Sequence, residues 1–302
     1  VVNPRARICV FPNVGSNFGG DLVAGILFSG LQRQSDEAIL VDVGTNAEVV
    51  LGNREWLMAC AGAAGPALEG GVTRMGMMAG PGVIDRVEID PQSGAIAWHA
   101  IGDQVPVGIC GSGLIDLAAQ LFRAGMLDIR GRLVPERCGD CFETIREVAH
   151  FRVVPANESA SGKALMLSQV AIDSLVRSKA AMYTILETIT QHVGIALEQL
   201  QTFFVAGTFG SFISPASAVT IGMLPDLPLS HYLTLGNSSL GGTTMVLQSA
   251  ACVDEIDQIR DTITYLELNV NQDFMNRFSA AKFIPHTDRG RFPSVGQLND
   301  DE

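Results

Sequence analysis

Three strand-like runs stand back to back near the start of this chain, and they limit the folds open to it more than any other feature. Ile39-Leu40-Val41-Asp42-Val43-Gly44-Thr45 reads as a buried strand that closes in a tight turn. Glu48-Val49-Val50-Leu51-Gly52 follows as its hairpin partner, and Trp56-Leu57-Met58-Ala59-Cys60 makes a third strand after the turn Gly52-Asn53-Arg54. Strands in immediate succession form a meander, so the sheet is mixed rather than purely parallel. That excludes a simple Rossmann domain. A further buried run, Phe203-Phe204-Val205-Ala206, ends in Gly207-Thr208-Phe209-Gly210 after a long helical stretch.

The rest of the chain fills in around this meander. Ile8 to Phe11 reads as a short buried strand, followed by the glycine-rich turn Pro12 to Asp21 and a helical pattern over Leu22 to Leu31. A helix is expected to begin near Pro66, where proline suits a first turn. Val83 to Ile101 looks like a two-stranded insertion, and residues 128 to 165 a strand-and-loop excursion. Between them Gly108 to Gly113 leads into a helix over Leu114 to Ala124, stopped by Gly125. From about Asp173, apolar residues recur every three or four positions through Leu200, with Gly194 a point of interruption. A last helix is expected over Leu240 to Cys252, and a frayed tail from Gly290. The order strand, strand, strand, helix, helix, strand, helix suits an α/β fold: a ribonuclease-H-like mixed sheet with flanking helices and a β-rich insertion. This is the core shared by actin, Hsp70 and sugar kinases. The expected division is residues 1–38 as the end of a preceding lobe or connecting segment, 39–289 as the lobe with its insertion near 83–165, and 290–302 as tail.

Composition narrows the function classes. Hydrophobic residues make up 47% of the 302 and charged ones 17%, so the chain can bury a sizeable core. Aromatics at 6% and 32 glycines suit tight loops that approach a ligand. A net charge of −12 with no run of Lys or Arg excludes a nucleic-acid surface. The same charge is compatible with ATP, whose phosphates are met by backbone N–H groups and Mg²⁺. No apolar run approaches the roughly 20 residues that span a bilayer. Cysteines at 9, 60, 110, 138, 141 and 252 are scattered and read as reduced thiols of a cytoplasmic protein. The opening Val1-Val2-Asn3-Pro4 runs directly into apolar sequence, which points to a piece of something longer.

Three glycine turns carry the chemistry. At Asp42-Val43-Gly44-Thr45-Asn46 a carboxylate and a hydroxyl meet where a hairpin reverses. Gly44 admits a phosphate oxygen, Thr45 and Asn46 can donate to it, and Asp42 can hold Mg²⁺ through water. An ordinary type I′ turn uses the same residue types, but a carboxylate inside an apolar strand is costly unless it has a task. Gly111, Ser112 and Gly113 open a helix and could cradle an anion with free N–H groups; glycine for close helix–strand packing is the competing reading. Gly207, Thr208 and Gly210 follow a buried strand and would let a nucleoside ring lie against backbone.

Several runs together bring a family into view: Pro12 to Leu27, Leu40 to Gly52, Ala64 to Gly70, Gly108 to Asp116, Ile221 to Pro225, Gly236 to Gly242 and Phe283 to His286. They resemble the C-terminal region of reductive activators of corrinoid proteins, and the resemblance covers nearly the whole chain. It implies an ATPase lobe of the actin/Hsp70/sugar-kinase type, in a protein that carries an N-terminal 2Fe–2S domain outside this chain. It further implies that ATP hydrolysis drives reduction of a Co(II) corrinoid partner in a methyl-transfer system to Co(I). By position, Asp42, Gly44, Thr45 and Asn46 match the second phosphate-binding turn, and Gly207 and Gly210 the adenosine motif, from which Thr208 departs. Lys179 lies on the helix that borders the adenosine pocket in this superfamily; an exposed helix lysine is the alternative. The superfamily's first Asp-x-Gly-Thr-Thr turn and a four-cysteine cluster are missing from these residues. A small-molecule kinase, with Asp116 as the available general base, and a non-catalytic docking module are the other readings; a homodimer stays open. Cys138 and Cys141 have the spacing of a metal knuckle but lack a second pair, and His150, His192, His231 and His286 show no catalytic or metal spacing.

Overall fold

The computed structural model describes residues 8–15, 18–44, 46–63, 73–207, 213–268 and 272–296. Helix α1 (Gly20–Ser29) comes first, ended by Gly30, whose N–H bonds the Ile26 carbonyl. The expected meander follows as β1 (Ala38–Val43), β2 (Asn46–Gly52) and β3 (Leu57–Ala63), each antiparallel to the next. The chain then leaves the central sheet. A small sheet holds β4 (Val83–Ile89), β5 (Ile96–Ala100) and β6 (Gly108–Ile109) in the order β5-β4-β6. Helix α2 (Gly111–Arg123) and the single turn α3 (Pro135–Cys138) lead to a second small sheet, β7 (Phe142–Ile145), β8 (Val148–Val154) and β9 (Leu165–Ser168).

Helix α4 (Gln169–His192) returns to the centre. Ser168 caps it by accepting from the Ala171 N–H, and Gly194, at φ 75°, follows its end. Strands β10 (Thr202–Ala206) and β11 (Tyr232–Gly236) then complete the parallel side of the sheet, with α5 (Pro215–Thr220) between them. Helices α6 (Ser238–Gln248) and α7 (Ala251–Thr262) precede β12 (Ile263–Tyr265), and α8 (Gln272–Ala281) and α9 (Pro293–Gly296) end the described chain. The central sheet has the order β11-β10-β1-β2-β3-β12, with β2 the antiparallel member. Its first five strands have the order of a ribonuclease-H-like core.

Two cores form because strand side chains alternate between faces. Ile39, Val41 and Val43 of β1 join Val49, Leu51, Phe203 and Val205 against α2 and α4. Leu40, Val50 and Phe204 face the other way, onto Leu22, Val23, Ile26 and Leu27 of α1 and Ile256 and Ile259 of α7. Each such fully buried aliphatic side chain contributes about 1.5–3 kcal/mol, so both faces of the sheet are anchored.

Several expectations change. Ile8 to Phe11 is not a buried strand: the segment pairs with neither sheet edge, and Ile8 and Val10 are exposed. The last helix is two, because the chain bends between Gln248 and Ala251. Strand β12 and helix α8 were not anticipated. Residues from Gly290 to 296 are held rather than frayed, with Phe292 fully buried against Tyr183 and Arg291 paired with Glu187 at 2.6 Å. The helix expected near Pro66 lies outside the described residues.

Candidate functional site

Asp42 is placed by the period of β1. Leu40 points into the core beneath α1, so Asp42, two residues on, stands on that same face where the strand ends. Its parallel neighbour in register is Ala206, the last residue of β10, and Gly207 follows with φ 90°. A Cβ at Gly207 would lie 2.6 Å from Asp42 Oδ1 and 2.8 Å from the Val43 carbonyl. Only glycine allows this backbone conformation and this approach together. Gly207, the residue after β10, therefore packs directly beside the Asp42 carboxylate, although the two are far apart in sequence.

On its other side Asp42 faces Glu48, its antiparallel partner on β2. Asp21, in the first turn of α1, adds a third negative charge nearby. Burial, and then the charge of Asp21, push the Asp42 carboxyl upward. Glu48 is pushed up to about 7, by burial first and then by Asp42 and Asp21. These carboxylates repel one another, and a cation beside them would relieve that repulsion. Among the described residues no group of three or more His, Cys, Asp or Glu is close enough to cage a metal ion. Asp42, with Glu48 and Asp21 beside it, could hold a hydrated Mg²⁺ through water, which is how this ion is usually held. The Gly44 N–H is already engaged, donating to the Asn46 carbonyl at 2.9 Å, while the Asn46 side chain is exposed. Thr45, Thr208 and Gly210 lie outside the described residues.

Gly111, Ser112 and Gly113 form the first turn of α2, and all three are buried. A Cβ at Gly113 would fall 2.5 Å from the Ile84 carbonyl, so this glycine lets α2 close onto β4. Ser112 Oγ lies 3.1 Å from Cys110 Sγ. The packing of α2 belongs to the core that includes Ile39 and Val41, on the opposite face of β1 from Asp42. The close-packing reading accounts for Gly113.

Lys179 is neither exposed nor open to a ligand. Its side chain is fully buried, and Nζ donates to the carbonyls of Phe283 and Pro285, the latter at 2.7 Å. Burial drives its pKa well below the usual lysine value. The reason is tertiary: the segment Phe283 to His286 folds back over α4 and offers two carbonyls. Asp116 is also committed, accepting from the Val87 N–H at 2.7 Å and the Ser217 hydroxyl at 2.6 Å. Cys138 is a free, buried thiol pushed up to about 11, first by burial, and Cys141 is free as well. His150 and His231 bond backbone carbonyls, and His286 Nδ1 accepts from the Asp288 N–H. Sequence reasoning missed Glu48 and Asp21. Counting back across the hairpin from Val43 and Ala47 would have found Glu48 opposite Asp42.

Comparison with known proteins agrees with this fold. A family described as the C-terminal domain of RACo, the ASKHA domain, matches residues 36–296. The chain is similar to the corrinoid activation enzyme RamQ of Eubacterium limosum, with 30% identity over 284 residues, 92% of this chain and 47% of that protein. It is also similar to a Co(II) methylated amine-specific corrinoid protein reductase of Methanosarcina barkeri, with 23% identity over 296 residues, 90% of this chain and 50% of that protein. Among solved structures, a reductive activator for corrinoid, iron-sulfur protein superposes with a TM-score of 0.90 and 40% identity, covering 94% of this chain and 45% of that one. The chain spans about half the length of the curated relatives it matches.

Proposed function

Because the chain belongs to the family of the C-terminal ASKHA domain of RACo, we propose that it supplies the nucleotide-binding lobe of an ATP-dependent reductive activator of a corrinoid protein. The observation that carries this reading is the contact of the Asp42 carboxylate with the Gly207 turn. It brings the end of β1, where the candidate phosphate turn begins, beside Gly207 at the matching end of the adjacent parallel strand β10.

In this reading Mg-ATP supplies the free energy for an otherwise uphill electron transfer. Asp42 would hold the hydrated metal through water, and Glu48 and Asp21 add negative potential that favours a cation there. Asn46, exposed at the start of β2, is a donor available to the phosphates, and Gly207, which has no side chain, leaves room for the nucleoside beside Asp42. A 2Fe–2S centre, expected elsewhere in the full-length protein, would supply the one electron that takes the partner's Co(II) to Co(I). Hydrolysis can drive that step only if nucleotide state changes a conformation that the corrinoid partner also senses. We place the protein in the cytoplasm, serving the corrinoid protein of a methyl-transfer system. Among the described residues no helix is long and apolar enough to cross a membrane.

A kinase would need a free general base, and the residue available for that role, Asp116, is held by Val87 and Ser217. The test is reduction of a purified Co(II) corrinoid protein by the full-length protein, followed spectroscopically. Mg-ATP should accelerate Co(I) formation and a non-hydrolysable analogue should not. Equal rates with and without ATP would defeat the proposal.

A further inference from the structure

In a chain of net charge −12, one concavity gathers positive charge. A cavity of about 420 Å³ is lined by Arg130, Arg132, Arg177 and Lys282, over an apolar floor of Val176 and Phe283. Asp173 is the one carboxylate among its lining residues, and it is engaged: Oδ1 accepts from Gln169 Nε2 at 2.8 Å, and Oδ2 lies 3.6 Å from Arg132. Among the described residues, Arg130 and Arg177 have no acidic partner, and Lys282 leans over the Phe278 ring at 5.9 Å.

Three separated segments build this concavity, and each is held in place. Asp128 Oδ1 accepts from the backbone N–H groups of both Arg130 and Arg132, at 2.8 Å each, which fixes the turn that presents them. The N-terminal half of α4 contributes Asp173, Val176 and Arg177. The third wall, Lys282 and Phe283, is tied down by Lys179 on the Phe283 carbonyl and by the Ile284 N–H on the Ile129 carbonyl at 2.8 Å. Four cations share this concavity with a single carboxylate, an imbalance that is unfavourable and that a bound anion would offset. Guanidinium groups offer forked donors matched to phosphate oxygens, and the volume lies within the roughly 300–1,000 Å³ of small-molecule sites.

We infer that this cavity binds a small molecule bearing a di- or triphosphate group, with Phe283 and Val176 receiving an apolar portion. A concavity with a fixed floor favours a small ligand over an acidic protein surface, which would meet a flatter patch. Val176 belongs to the core on the α4 side of the sheet, whereas Asp42 stands on the α1 face, so this is a second site, independent of the nucleotide site proposed above.

The test is calorimetric titration of the full-length protein with inorganic tripolyphosphate, in EDTA so that no Mg²⁺ assists binding at Asp42. Arg130 and Arg177 are exposed, so the double variant Arg130→Gln/Arg177→Gln should fold normally. It should bind about tenfold or more weakly, as expected for loss of charge-assisted hydrogen bonds. Asp173→Asn, which removes the lining carboxylate, should tighten binding, and Asp42→Asn should leave it undiminished. No binding to the wild type, equal affinity in the double variant, or loss of binding only in Asp42→Asn would overturn the inference.

Discussion

Replacing Glu48 by Gln should stabilise the nucleotide-free protein by an amount that grows as pH rises above 4.5 and levels off above about 7. Glu48 lies opposite Asp42, and its carboxyl rises from 4.5 to about 7 through burial and the charges of Asp42 and Asp21. A raised carboxyl binds its proton more tightly in the folded state, so its ionisation opposes folding. The opposition is absent below the unfolded value of 4.5, grows as pH rises, and is complete above about 7. A shift of that size corresponds to about 3 kcal/mol. Glu48 is only half-buried, and solvent screening reduces the expected amount to about 1–2 kcal/mol. Glutamine keeps the shape and removes the charge. Urea unfolding without nucleotide should show Glu48→Gln more stable than wild type by about 1–2 kcal/mol at pH 8 and nearly equal to it at pH 4.5. A difference of the same size at both pH values, or a variant less stable at pH 8, would refute the electrostatic account of this face.

Other substitutions separate structural from binding roles. Lys179→Met should lower stability by about 2 kcal/mol or more, since two buried carbonyls lose their donor; Mg-ATP affinity below the melting range should hardly change. Lost affinity at unchanged stability would instead return Lys179 to the nucleotide site. Gly207→Ala should cost about 1–3 kcal/mol from its positive φ and from the clash with Asp42, and should also weaken ATP binding. Thermal melts with and without Mg-ATP check both. Asp116→Asn should destabilise by about 1–2 kcal/mol through its bonds to Val87 and Ser217, with ATP turnover in the full-length protein retained. Abolished turnover in a well-folded variant would make Asp116 catalytic.

The sheet was legible where its strands announced themselves locally. Apolar runs broken by Gly44 and by Gly52-Asn53 gave the meander, and glycine turns at the ends of β1 and β10 already marked both as strand ends. Their contact follows once the two strands pair in parallel, which a linear pattern does not show. Strand β12 escaped because Ile263-Thr264-Tyr265 is too short for any alternation to register. Ile8 and Val10 misled for the opposite reason, since apolar residues alone do not supply a pairing edge. Lys179 invited a pocket or surface reading because its burial depends on a segment more than a hundred positions away. Glu48 went unnoticed since its importance lies in what it faces across the hairpin rather than in a motif of its own.

The central claim is that Asp42 and the Gly207 turn frame one wall of a magnesium-nucleotide pocket. Calorimetric titration of Mg-ATP into full-length wild type and Asp42→Ala tests it most directly. The account predicts that the variant folds and loses about tenfold or more in affinity, as expected for removal of a charged contact. Unchanged affinity in a folded variant would contradict it.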